Sequence, residues 1–344
     1  MARIPVSLIT GFLGSGKTTL LNRLLSQPDL HDVAVIINEF GEIGLDHQLV
    51  ESADDTVIEL KNGCLCCTIR GDLVDTLRDL YHRRTAGDVP KFRKAVIETT
   101  GLADPAPVIQ VVLADPMVNH VFELDGVVTT VDALLGDATL DEHDEAVRQV
   151  AVADRIVVTK VDLCDDVPRL EALKGRLARL NPAAPILDAV KGDVAADLIF
   201  GAGLYDPGTK IPDVQAWLNE AAYERDHDHA HGHAHDVNRH DDRIRAYAIE
   251  HDAPITLRGL EMFLEGIAGV TEGKLLRIKG IVHVAERPDE PAVVQGAQNV
   301  FHGIEWLSAW PDDNRSSRIV FITRDLAKAE IEETWALVER MTGA

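Results

Sequence analysis

The chain is short of positive charge. Its 344 residues carry 34 lysines and arginines against 57 aspartates and glutamates, a formal net charge of −23. A surface this acidic repels the backbones of DNA and RNA, so no nucleic-acid partner is expected. Long apolar runs are also missing. None reaches the length that crosses a bilayer, so no membrane partner is expected either. The N-terminus lacks the order of a secretory leader, because a glycine-rich turn begins almost at once. A cytoplasmic location is the resulting expectation. Cysteine is scarce, with four in the chain, and in that compartment so few argue against a disulfide framework. Three of the four crowd into one short loop, which turns the question to metal or redox chemistry. No internal repeat stands out.

What is present begins at Gly11-Phe12-Leu13-Gly14-Ser15-Gly16-Lys17-Thr18-Thr19, which reads G-x-x-x-x-G-K-T. A short apolar run, Val6 to Ile9, precedes it, and leucines at helical spacing follow it. Strand, glycine turn and helix start are the setting that makes this motif a phosphate loop. The glycines let several N–H groups converge on one anion, and the new helix adds its positive end. Lys17 is expected on the β and γ phosphates, with the Thr18 hydroxyl on Mg²⁺.

The first two hundred residues alternate apolar runs with helical patterns. Expected strands are Val6–Thr10, Val33–Asn38, Thr56–Leu60, Ala95–Thr99, Gly126–Val131, Ile156–Lys160 and Ile186–Val190. Expected helices include Ile69–Tyr81, Pro107–Leu113, Asp144–Ala153 and Pro168–Leu180. This alternation predicts an α/β fold, a doubly wound and mostly parallel sheet with ligands at the carboxyl ends of its strands. A polar, low-complexity stretch, Asp226–Asp242, interrupts the pattern. Strands are then expected at Ile244–Glu250, Leu275–Glu286, Ala292–Gln298, Gly303–Ala309 and Ser317–Thr323, with helices at Leu257–Ile267 and Leu326–Met341. The domains expected are a P-loop domain over 1–205, a His-rich linker over 206–242 and a smaller α+β domain over 243–344.

Two further segments suit a nucleotide. Glu98-Thr99-Thr100-Gly101 ends an apolar strand. There the acid can orient Mg²⁺, and the glycine can give its N–H to a γ-phosphate. Thr159-Lys160-Val161-Asp162 ends another. A carboxylate at Asp162 can accept two hydrogen bonds from guanine N1 and N2, which adenine does not offer, and the Lys160 stem can lie along the base. The usual GTPase pattern has Asn where this chain has Thr159. GTP is preferred over ATP on these residues. Asn38-Glu39-Phe40-Gly41-Glu42 suits a segment that senses the γ-phosphate. No glutamine or arginine is clearly placed to polarise the attacking water, so slow hydrolysis, a switch or timer, is expected.

Cys64, Cys66 and Cys67 place three thiols within four positions just before a helix. Thiolates select soft or borderline ions such as Zn²⁺, Co²⁺ or Cu⁺. A fourth ligand could be water, Glu42 or a partner's group. The competing readings are a redox pair, which a Cys-x-Cys bridge would strain, and inert packing. His227, His229, His231, His233 and His235 alternate along the polar stretch. They suit weak, exchanging metal capture, against the plainer reading of a solvated linker. Two other functions stay open: a metal buffer built on that tract, and a small-molecule kinase using the same phosphate loop.

In order, GFLGSGKTTLLN, NEFGEIGLD, NGCLCC, ETTGLADP and TKVD resemble the CobW-type metallochaperone GTPases, SIMIBI-class relatives of the GTPases that mature urease and hydrogenase. Leu275 to Gly280 and Ile304-Glu305-Trp306 look like that family's C-terminal domain. The resemblance implies a GTPase with Mg²⁺ near Thr18 and Glu98. It implies a nucleotide held by Gly11, Gly14, Ser15, Gly16, Lys17, Thr18, Thr19, Gly101, Thr159, Lys160 and Asp162. A transferable zinc or cobalt ion at Cys64, Cys66 and Cys67 would go to a client metalloprotein. A nucleotide- or metal-dependent homodimer is the other candidate assembly.

Overall fold

Ile4–Gly11 forms β1, the strand that leads into the glycine turn. In the computed structural model it lies inside a parallel six-stranded sheet of order β2-β3-β1-β4-β5-β6. The structure describes residues 3–28, 30, 32–38, 69–201, 243–271, 273–301 and 303–343. The expected strand Thr56–Leu60, the segment from Glu39 to Glu42, the three clustered cysteines and the histidine tract all lie outside them.

The partners of β1 are β2 (Val33–Asn38), β3 (Lys94–Thr99), β4 (Phe122–Asp132), β5 (Arg155–Thr159) and β6 (Ile186–Ala189). Every pairing among them is parallel. The apolar runs Val33–Ile37, Ala95–Ile97 and Ile156–Val158 follow from burial on both faces of the sheet. Ile9, Val35, Val96, Val128 and Val157 meet the leucines of α1 (Lys17–Leu25) on one face. The alternate residues Leu8, Ile36, Ile97 and Val127 are buried as well. The helices α2 (Ile69–Ala86), α3 (Ala106–Ala114) and α4 (Pro116–Val121) pack together, with α3 and α4 also against β4. Two short helices follow β4, namely α5 (Gly136–Glu142) and α6 (Asp144–Ala151), and α6 packs against β1. After β5 come α7 (Val167–Leu180) and α8 (Ala196–Ile199). Buried Arg176 of α7 ties down α5, donating to Asp137 Oδ1 at 2.6 Å and Asp141 Oδ1 at 2.9 Å.

Strand β4 is longer than its apolar run, starting at Phe122 rather than Gly126. The pairing with β1 steps from Val6–Leu124 to Ser7–Gly126, so Asp125 is an extra, bulged residue. Its buried carboxylate collects the Ser7 hydroxyl at 2.8 Å, Lys94 Nζ at 3.1 Å and the Gly201 N–H at 3.0 Å. Helix α4, not expected from periodicity, starts where the Asp115 carboxylate accepts from the N–H groups of Met117 and Val118.

The chain divides into two compact units, Met1–Ala178 with Ala184–Leu204, and Arg179–Ala183 with Tyr205–Ala344. The second contains an antiparallel sheet of order β10-β9-β8-β12-β7. Its strands are β7 (Ile244–His251), β8 (Leu275–Val282), β9 (Ala292–Ala297), β10 (Val300–Phe301) and β12 (Ser317–Arg324). The expected strand Gly303–Ala309 shrinks to β11 (Glu305–Trp306), also paired with β9. The ladder runs out at proline: the Leu307 N–H still reaches the Pro291 carbonyl at 3.0 Å, but Pro291 has no N–H to give back. Helices α9 (Leu257–Thr271) and α10 (Lys328–Thr342) pack on each other. Phe263, Phe321 and Trp335 are at the centre of this unit's core. Among the described residues no helix is long and apolar enough to cross a membrane.

His251, half-buried, stacks on Trp335 with ring centroids 4.5 Å apart and planes 6° from parallel. Burial pushes its imidazole below the ordinary 6.5, against the opposing pull of Glu339, Glu332 and Asp252. The folded unit therefore favours the neutral ring. Above the ordinary value both folded and unfolded rings are neutral and the stability is whole. As pH falls through it, the unfolded chain takes the proton first and stability is lost. The thermal midpoint is expected to drop between pH 7.5 and 5.5, and to drop less in His251→Gln. Equal pH slopes in the two proteins would remove His251 as the cause.

Candidate nucleotide site

The glycine turn is built for close approach. Gly11, Gly14 and Gly16 have φ of 141°, 71° and 91°, a region that side chains resist. At Gly11 a Cβ would sit 2.3 Å from Thr130 Oγ1 and 2.5 Å from the Thr130 carbonyl. The Ser15 N–H closes the turn on the Phe12 carbonyl at 3.1 Å, and the Ser15 and Thr130 hydroxyls are 2.6 Å apart. Gly16 caps α1, so Lys17, Thr18 and Thr19 occupy its first turn. Lys17 Nζ bends back to the carbonyls of Gly11 at 3.0 Å and Phe12 at 3.1 Å, an ammonium centred over the loop.

Glu98, at the end of β3 and 4% exposed, accepts a hydrogen bond from the Thr18 hydroxyl at 2.8 Å. Parallel pairing of β1 with β3 brings these two together across eighty positions of sequence. Thr99 supports the same crossing by donating to the Thr10 hydroxyl at 2.8 Å. Gly101 packs directly on the phosphate loop. A Cβ there would lie 2.5 Å from the backbone N of Leu13 and 2.7 Å from its Cα.

The segment after β5 is tied to the same loop. Thr159 donates to the Ser15 carbonyl at 2.7 Å, so the hydroxyl found in place of the usual amide serves as a tether. Lys160, at φ 57°, donates to the Gly14 carbonyl at 2.8 Å and to Asp132 Oδ2 at 2.6 Å. Asp162 is exposed and accepts the Lys191 N–H at 3.2 Å. Gly192 lies against Thr19, where a Cβ would come within 3.0 Å of its Cγ2.

The structure thus brings Gly11 to Thr19, Glu98, Gly101, Thr159 and Lys160 into one contiguous set at the carboxyl ends of β1, β3 and β5. Asp162 joins it through the Thr159–Lys160 segment. Cys64, Cys66, Cys67, Glu42 and the five histidines are not among the described residues. Among those that are, no group of three or more His, Cys, Asp or Glu side chains is arranged to hold a metal ion. Sequence reading missed Thr130, Asp132, Gln149 and Lys191. Asp132 was open to notice, as an acid ending an apolar strand. Gln149 carries no such mark, yet its Nε2 donates to the carbonyls of Gly101 at 3.2 Å and Ala103 at 3.0 Å.

Residues 5–188 match the profile of the CobW/HypB/UreG nucleotide-binding domain, and residues 244–338 that of the cobalamin synthesis protein CobW C-terminal domain. The zinc chaperone YjiA of Escherichia coli (strain K12) is 33% identical over 336 residues, covering 98% of this chain and 99% of that protein. The zinc-regulated GTPase metalloprotein activator 1 of Saccharomyces cerevisiae is 26% identical over 375 residues, covering 96% and 82%. The crystal structure of Zn(II)-bound YjiA GTPase from E. coli superposes with a TM-score of 0.70 at 29% identity, covering 98% of this chain and 99% of that one. With both profiles matched in sequence order, and a phosphate loop set between β1 and α1, this chain belongs to the CobW family of P-loop GTPases.

Proposed function

We propose that this GTPase is a metallochaperone that takes up zinc at Cys64, Cys66 and Cys67 and passes it to a client metalloprotein when GTP is hydrolysed. The observation that carries the reading is the single tethered frame around the glycine loop, in a chain that also holds the C-x-C-C run. The relative named a zinc chaperone, and its Zn(II)-bound structure, favour zinc over cobalt as the cargo. Lys17 exchanges its two backbone carbonyls for the β and γ phosphate oxygens, and the loop N–H groups hold the remaining charge. The Gly101 N–H faces the γ-phosphate. Asp162 accepts from guanine N1 and N2, with the Lys160 stem along the ring. The Thr18 hydroxyl and Glu98 carboxylate are hard oxygen donors 2.8 Å apart, a pair that fits Mg²⁺. When bound, Mg²⁺ neutralises charge that builds on the phosphates.

The cargo site needs three thiolates and a fourth ligand from water, Glu42 or the client. If GTP tightens that site, zinc must tighten GTP by the same factor. The test is a competition of zinc and cobalt against a chromophoric chelator, in the GTP-analogue and GDP forms. Metal affinity is expected to be at least roughly tenfold higher with the analogue, within the usual range of coupling. The double change Cys66→Ala and Cys67→Ala is expected to abolish tight metal binding and leave nucleotide binding in place. Equal metal affinity in both nucleotide forms would defeat the proposal, as would tight binding that survives the cysteine changes.

A further inference from the structure

Helix α6 touches both loops that frame the nucleotide site. His143, the residue that caps its start, stacks on Phe12 of the phosphate loop, with ring centroids 4.4 Å apart and planes 24° from parallel. Near its end two neighbouring residues reach the segment that follows β3. Arg148 Nη1 donates to Asp104 Oδ2 at 3.4 Å, a partly exposed and therefore weak ion pair. Gln149 is fully buried, and its Nε2 donates to the carbonyls of Gly101 and Ala103.

The Gln149 fork is specific in its chemistry. Only the nitrogen of a side-chain amide donates, so two carbonyl partners fix which way the amide points. Its two hydrogens serve one carbonyl each, and one planar group then sets both oxygens. The buried face of α6 is otherwise made of Ala146, Val147, Val150 and Ala151, where an aliphatic side chain would serve packing alone. The helix that carries the fork is itself fixed. It packs against β1, stacks on Phe12 through His143, and receives the Thr129 hydroxyl of β4 on the Gln149 carbonyl at 2.7 Å. The segment after β3 is thus anchored to the phosphate loop twice, at Glu98 through Thr18 and at Gly101 and Ala103 through Gln149.

We infer that Gln149 is a positioning residue for GTP hydrolysis, and that by holding the carbonyls of Gly101 and Ala103 it sets the Gly101 N–H where a γ-phosphate would lie. The inference rests on the nucleotide reading above. GDP has no γ-phosphate, so the fork matters for reaction of the triphosphate and little for the hold on the diphosphate. A side chain that served the fold alone would show no such preference.

The test compares the full chain with Gln149→Met, which keeps the unbranched length and loses both donors. Single-turnover hydrolysis of GTP is expected to slow at least about tenfold, while GDP affinity stays within about twofold. A smaller loss of rate, or GDP affinity that falls along with it, would overturn the role. A second readout needs no variant. In the unaltered, ¹⁵N-labelled protein the Gln149 side-chain NH₂ signals are expected to differ between the forms bound to GDP and to a non-hydrolysable GTP analogue. Signals that coincide in the two forms would overturn the role as well. The Gly101 backbone amide, read in the same spectra, separates the two possible failures. A Gly101 signal that ignores the γ-phosphate would fail the nucleotide reading. A Gly101 signal that responds, with Gln149→Met turning over as the unaltered protein does, would fail the positioning role alone.

Discussion

Gly101→Ala is expected to slow GTP hydrolysis roughly a hundredfold while the chain stays folded, the scale at which a displacement of about 1 Å near reacting groups is felt. The position has no unusual φ, so the argument is purely steric. An added methyl would meet backbone atoms of Leu13 at 2.5 and 2.7 Å, and backbone cannot swing aside as a side chain would. Either the phosphate loop or the Glu98–Gly101 segment must retreat. Both are pinned, the first by Thr159 and Lys160 and the second by Gln149 and the Thr18–Glu98 bond. Gly14→Ala is the informative contrast. Its φ of 71° penalises a side chain by about 1–2 kcal/mol, but nothing lies within 4 Å of the new methyl. Its effect on turnover should be much the smaller. Steady-state hydrolysis with far-ultraviolet circular dichroism on both variants decides the matter. Wild-type turnover in Gly101→Ala would contradict the packing described.

Trp335→Ala is expected to cost the second unit about 3–5 kcal/mol, the usual range for removing a buried aromatic. Trp335 is fully buried, stacks on His251 and meets the Phe263 ring edge-on at 4.9 Å. Its indole N–H donates to Glu339 Oε1 at 2.8 Å. Trp335→Phe keeps most of the ring and loses that donor, so its cost should be nearer 1 kcal/mol plus a partly filled gap. Urea denaturation followed by circular dichroism measures both. A loss below about 1 kcal/mol for the alanine variant would mean that the core closes over the gap far better than cores of this density do.

The fold was legible where one stretch of sequence decides one element. β2, β3 and β5 hold apolar runs with polar residues only at their ends, β1 is broken by Ser7 alone before Thr10, and the glycine turn declares itself by spacing. Asp115-Pro116 was also readable, an N-cap acid followed by a proline at the first helical position, although periodicity alone passed over it. Gly303–Ala309 misled because its alternation is that of a strand, whereas pairing ends after two residues. The supports of the candidate site were hidden for another reason. Gln149 reaches carbonyls 46 and 48 positions away, and the bulge at Asp125 exists only in the register between β1 and β4. Such contacts belong to the assembled sheet and leave no local trace.

Thr159 and Lys160 each fasten the loop after β5 to a carbonyl of the glycine turn, Ser15 in one case and Gly14 in the other. A ligand that touches only one of the two loops is therefore felt by both. In the proposed reading, preference for the base and grip on the triphosphate are properties of one rigid frame. A lineage altering its taste in nucleobase at these positions would have to retune its phosphate affinity in the same step.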